Sequence, residues 1–116
     1  MFVSANETVE VTHGDMVVEI YARINLRRDA LIKDEFVRLG AASTRAYEYA
    51  LAKHMIKGWR GGVFDEHPFN LRTFENLDPN NADWKALLGK LTARINELNR
   101  PKTEPVPPEL GDADPN

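Results

Sequence analysis

The chain contains no cysteine. This excludes a disulfide framework, a thiolate zinc site and a cysteine nucleophile. It also lacks a large surplus of either charge, with 15 Lys and Arg against 18 Asp and Glu in 116 residues. The small acidic excess lies at one end. Pro101 to Asn116 holds one base, Lys102, against Glu104, Glu109, Asp112 and Asp114, so residues 1–100 carry 14 charges of each sign. A neutral body grips a phosphate backbone poorly, because that needs concentrated Lys and Arg. It suits an anionic membrane surface no better. Nucleic acid and membrane are therefore not expected as partners. Apolar residues nowhere run together for the ~20 positions of a membrane span, so neither a spanning helix nor a signal h-region is expected.

Proline is scarce except at the same end, where five of the seven lie in residues 101–116 beside only two sizeable apolar side chains, Val106 and Leu110. Such a stretch buries too little surface to offset the entropy of its own ordering. A disordered acidic, proline-rich tail is expected over 101–116, after a single domain over 1–100.

Within that domain the hydrophobic period changes. Val9 and Val11 alternate with Thr8, Glu10 and Thr12, His13-Gly14-Asp15 supplies turn chemistry, and Val18, Ile20, Ala22 and Ile24 resume the two-residue period. This predicts a β-hairpin, which needs helices or another chain to cover it. A first helix is expected from the cap Asn25 through Leu31, Ile32, Phe36 and Leu39 to Gly40. A second follows Ser43 or Thr44 through Tyr47, Ala50, Leu51, His54 and Met55 to a stop at Gly58, with Lys53 and Lys57 suiting its negative end. The third carries Trp84, Leu87, Leu88, Leu91, Ile95 and Leu98 on one stripe, capped by Asn81 or Asp83 and ended before Pro101. The fold class is thus α+β, an amino-terminal hairpin packed on about three helices. Residues 58–80 join the second helix to the third and are too apolar for an idle loop; Thr73 to Leu77 suits one helical turn.

Reactive groups are sparse. Asp65-Glu66-His67 are consecutive, so their side chains diverge instead of converging on one proton or metal, and Pro68 biases His67 toward an extended or turn backbone. They read as a polar turn. His13 is expected to be solvated in the hairpin turn and His54 to be a hydrogen-bonded, partly buried residue. Gly58, Gly61 and Gly62 lack the Lys-Ser/Thr pair and preceding strand of a phosphate loop. They read instead as a helix stop and a sharp turn setting Trp59 and Val63-Phe64 into the core. No catalytic residue, cofactor site or metal site is expected.

The run from Lys53 to Leu77, KHMIKGWRGGVFDEHPFNLRTFENL, resembles the central signature of tail assembly chaperones of long-tailed bacteriophages. In these an aliphatic helix end is followed by Gly-Trp-x-Gly-Val, an acidic turn, an apolar residue and a short Thr-x-Glu-x-Leu helix. The likeness extends to the amino-terminal strands and the final helix, covering roughly residues 7 to 100. The chain departs from the pattern in having Gly61-Gly62 where one glycine is commoner, and His67-Pro68 in place of a glycine.

The resemblance implies a protein without enzymatic activity, made in the host cell cytoplasm and absent from the finished virion. It would coat the helical tape-measure protein and keep it soluble while the tail tube polymerises. Where a frameshift lengthens the product, the extension would recruit tail-tube protein. A holdase for an amphipathic helix needs an apolar groove with a polar rim. The candidate partner-binding residues are Met55, Trp59, Val63, Phe64 and Phe69, each also a candidate for the core. Self-association through the third helix is a further possibility. A structural virion component, such as a tail completion or head-tail connector subunit, is the other reading compatible with a small neutral body.

Overall fold

The computed structural model describes residues 1–41 and 43–101. The tail expected over 101–116 lies, from Lys102 onward, outside them. Strands β1 (Thr8–His13) and β2 (Met16–Tyr21) form the expected antiparallel hairpin, with Val9 opposite Ile20 and Val11 opposite Val18. Helix α1 (Leu26–Arg38) starts at Asn25, whose side chain accepts from the Arg28 N–H, and ends before Gly40, which takes a φ of 95°. Helix α2 (Thr44–Met55) starts at Ser43, whose side chain accepts from the Ala46 N–H. After a one-turn helix α3 (Leu71–Glu75), the long helix α4 (Ala82–Leu98) starts at Asn81 and buries Trp84, Leu87, Leu88, Leu91 and Ile95.

A third strand corrects the expected end of the second helix. Strand β3 (Ile56–Arg60) begins directly after Met55 and pairs antiparallel with β2, giving the order β1-β2-β3. Gly58 is therefore no helix stop but a strand residue opposite Glu19, and Lys57 is an exposed strand residue. The junction needs no loop because Ile56 is already extended, at ψ 127°, while its N–H still bonds the Ala52 carbonyl. The β-branched side chain then pairs with Ile20 in a ladder that the hairpin alone leaves unfilled.

The helices stack on the inner face of this sheet. Val18, Ile20, Leu51, Met55, Leu87 and Leu91 are fully buried in one cluster, each worth about 1.5–3 kcal/mol of apolar burial. α4 packs on α2 and β1, while α1 lies outside and packs chiefly on α2. The end of α4 is tied back across the domain. The Asn99 side chain accepts from the Ile24 N–H (2.8 Å) and donates to the Ala22 carbonyl (3.0 Å), and Arg23 donates to the Leu98 carbonyl (2.8 Å).

The tightest backbone approach is at Gly61, where φ is 85° and ψ 152°. A Cβ there would stand 1.9 Å from the Asp15 carbonyl oxygen. That dihedral region is essentially reserved for glycine. Gly61→Ala is thus expected to lose about 2–4 kcal/mol in urea unfolding, from strain and overpacking together. Gly89 offers the opposite case, because it is exposed inside α4 and its Cβ would meet nothing within 4 Å. Gly89→Ala is expected to gain about 1 kcal/mol, raising Tm by roughly 4–8 °C in a thermal melt.

Candidate functional site

The segment from Trp59 to Trp84 forms one side of the molecule, and its shape begins at the turn. Gly61 and Gly62 both take positive φ, and the Asp65 carboxylate accepts from the Gly61 N–H at 2.8 Å. The next residues wind into a 3-10 turn over Gly62–Glu66. With about three residues per turn, neighbouring side chains leave such a helix on different sides. Phe64 points inward and Val63 outward, so the expectation that the turn sets both into the core holds for Phe64 alone.

Trp59 organises the aromatic residues around it. Its ring stacks on Phe64 at 4.2 Å and meets Phe69 edge-on at 4.9 Å, while its indole N–H donates to the His67 carbonyl at 2.5 Å. Asn70 and Thr73 then close a reciprocal cap on α3, and the Thr73 hydroxyl also donates to the Pro68 carbonyl at 2.9 Å. Asp65-Glu66-His67 is a turn, with the Asp65 carboxylate holding backbone and His67 engaged through its backbone carbonyl. Among the described residues no three His, Asp or Glu side chains gather as a metal site would require.

The expected partner-binding set divides by position. Met55 and Phe64 are core residues, Trp59 and Phe69 are half-buried, and Val63 is 64% exposed. Around Val63 lie two hollows. One, of about 200 Å³, is lined by Trp59, Phe64, His67, Thr73 and Leu77 as well as Val63. The second, of about 150 Å³, shares Val63, Phe64 and Leu77 and continues to Met16, Asp78 and Trp84. Together they make an apolar trough with Asn76, Asp78, Asn81 and Asp83 on its edges.

Behind Leu77 and Trp84 is a third cavity, of about 270 Å³, whose wall includes Leu39, Tyr49, Phe74 and Pro79 and the charged pair Glu35 and Lys53. Glu35 and Lys53 are both buried, with Lys53 Nζ 3.2 Å from Glu35 and 2.8 Å from Glu75. Glu35 also receives His54 at 3.3 Å and Arg38 at 2.5 Å. Burial pushes the Glu35 carboxyl up, but the hydrogen bonds from Lys53, His54 and Arg38 outweigh it and hold the group below its ordinary value of 4.5. Lys53 likewise lowers the carboxyl of Glu75. A Glu35 carboxylate engaged by three donors and held ionised is a weak proton acceptor, and the cluster clamps α1, α2 and α3 together.

Sequence reasoning missed this cluster. The available signal was a charge inside an apolar pattern, since Lys53 follows Ala46 and Ala50 at helical spacing and Glu35 lies between Ile32 and Phe36. It also placed His13 in solvent. Instead the ring is half-buried between Asp83 (3.2 Å) and Lys90 (3.1 Å), because β1 extends through His13 and lies along α4. His54 occupies the partly buried, hydrogen-bonded position expected of it.

Because the Glu35 carboxyl is lowered on folding, its contribution is complete above 4.5 and fades as pH falls through the folded value. Glu35→Gln is expected to cost about 3 kcal/mol at neutral pH, the low end for a broken buried pair because Glu75 still holds Lys53. Urea unfolding of both proteins from about pH 7 down to pH 3 should show the difference shrinking in the acid range. A difference independent of pH would contradict the assignment.

Compared with protein-family models, curated proteins and solved structures, the chain matches none of them.

Proposed function

We propose that the protein is a tail assembly chaperone of the kind found in long-tailed bacteriophages, acting in the host cytoplasm as a holdase for the helical tape-measure protein. The observation that carries this reading is the trough around Val63. It is built largely by the signature segment from Lys53 to Leu77, and an outward Val63 is flanked by Trp59, Phe64 and Leu77. An amphipathic helix inserts one row of apolar side chains into such a groove and leaves its polar face to the rim. The Trp59–Phe64 stack and the capped α3 make the floor rigid, so little ordering entropy opposes binding. The proposal assigns Val63 and Trp59 to contact and Met55, Phe64 and Phe69 to support, Phe69 bracing Trp59 edge-on without lining either hollow.

A second reading, a structural virion subunit such as a tail completion or connector protein, is favoured by apolar side chains on the outer face of α1, where Leu26 and Val37 are exposed. Fixed assemblies commonly use such faces for subunit contacts.

Co-expression with a tape-measure protein encoded beside this chain separates the two. A chaperone is expected to keep that protein soluble and to be missing from purified particles, whereas a virion subunit is found in them. Val63→Asp should abolish the solubilising effect while leaving Tm within a few degrees of wild type, as exposed substitutions do. Full activity of that variant would remove the trough from the proposal.

A further inference from the structure

The outer face of α1 matches itself. Buried Ile32 and Glu35 and half-buried Phe36 face α2, whereas Leu26, Ala30 and Val37 are exposed at i, i+4 and i+11. At about 100° per residue these three share one stripe directed away from the core. Leu26 is 89% and Val37 69% exposed, and the two stand about 16 Å apart along the axis with small Ala30 between them. Arg27 and Asp34 flank the stripe on one side, and Asp29 and Lys33, paired at 2.9 Å, flank it on the other.

We infer that this face is the contact between two copies of the chain, packed antiparallel about a two-fold axis that passes the helix between Ala30 and Ile32. In an antiparallel pair each flank faces the same flank of the other helix, so the charges on one flank must complement each other in reverse order. They do so on both sides. Arg27 then meets Asp34 of the second copy and Asp34 meets its Arg27, while Lys33 and Asp29 exchange in the same way. The apolar positions match in the same register, Leu26 opposite Val37, and Ala30 lets the helices approach at the crossing. A parallel pair would also join unlike charges, Arg27 beside Asp29 and Lys33 beside Asp34 of the second copy, so the apolar positions choose the orientation: only the antiparallel pair sets Val37 opposite Leu26 instead of Leu26 opposite Leu26.

Shape agrees with charge at the amino-terminal end. Met1, Phe2 and Val3 stand beside Leu26 and, with Ile24, line an open hollow of about 780 Å³. Arg28 anchors the base of this arm, donating to the Ala5 carbonyl at 2.7 Å while its guanidinium lies 3.7 Å from the centre of the Tyr21 ring. The antiparallel register brings Val37 of the second copy over this hollow, so each end of the interface combines an apolar knob with an apolar recess. One helix pair and two arms make a small interface, so the dimer should be weak, half-dissociating on the order of 10 µM.

The inference concerns α1 and not the trough, so it stands or falls apart from the tape-measure proposal. Sedimentation equilibrium of the full chain across that concentration range should show a monomer–dimer equilibrium. Asp34→Arg, which opposes Arg27 with another cation, should weaken it at least tenfold. The exchanged variant Arg27→Asp/Asp34→Arg should return to within about threefold of wild type, because the pair is restored with its sign reversed. Val37→Asp should abolish it. Circular dichroism checks that each exposed substitution leaves the fold intact. A chain that stays monomeric throughout, a dimer indifferent to Asp34→Arg and Val37→Asp, or an exchanged variant that fails to recover each overturns the inference.

Discussion

The rest of the structure depends on the passage from Met55 to Ile56, where a helix becomes a strand without an intervening loop. One peptide unit serves both elements, because the Ile56 N–H closes the last turn of α2 on Ala52 while its backbone is extended and paired with Ile20. The direction of α2 over the sheet and the register of β3 are therefore not independent. Everything carboxy-terminal inherits that register: Trp59 opposite Val18, the turn at Gly61 against the Asp15 carbonyl, and the outward placement of Val63. Close packing propagates the constraint, since an interior at crystal-like density has few alternative arrangements.

The buried charges work on the opposite side of α2. Glu35, Lys53 and His54 occupy space that apolar side chains of similar volume would fill at no desolvation cost. An ion cluster demands geometry where an apolar contact does not. Glu35 must meet Lys53, and Lys53 must meet Glu75 of α3, so the short α3 is held at a fixed place beneath the trough. Breaking the cluster would loosen α1 and the trough wall together, although they lie on different parts of the surface.

Two surfaces thus emerge with different chemistry. The trough is concave, aromatic-floored and edged by Asp78 and Asp83, which suits a helix from another protein. The outer stripe of α1 is convex and self-complementary, which suits a second copy. Their separation on the fold allows both to be occupied at once, and a dimer would present two troughs to one long helical partner, raising its avidity without any new contact.

The sequence by itself determined the hairpin, the cap at Asn25, the caps of α2 and α4 to within one of two nearby residues each, and the stripe of α4, because each follows from residues near one another in the chain. The α+β class follows from the same local signals. It did not reveal β3, since the last turn of α2 and the first residues of a strand share Lys and apolar residues, and only a waiting edge on β2 decides between them. Nor did it reveal which apolar residues of the turn face outward. Val63 and Phe64 are adjacent and equally apolar, and the 3-10 winding that separates them depends on a carbonyl from Asp15 lying where a Cβ at Gly61 would be. The Glu35–Lys53 clamp joins residues 18 positions apart on two helices. Local pattern sets the elements, and the surfaces they offer are decided by long-range contacts that no window of sequence contains.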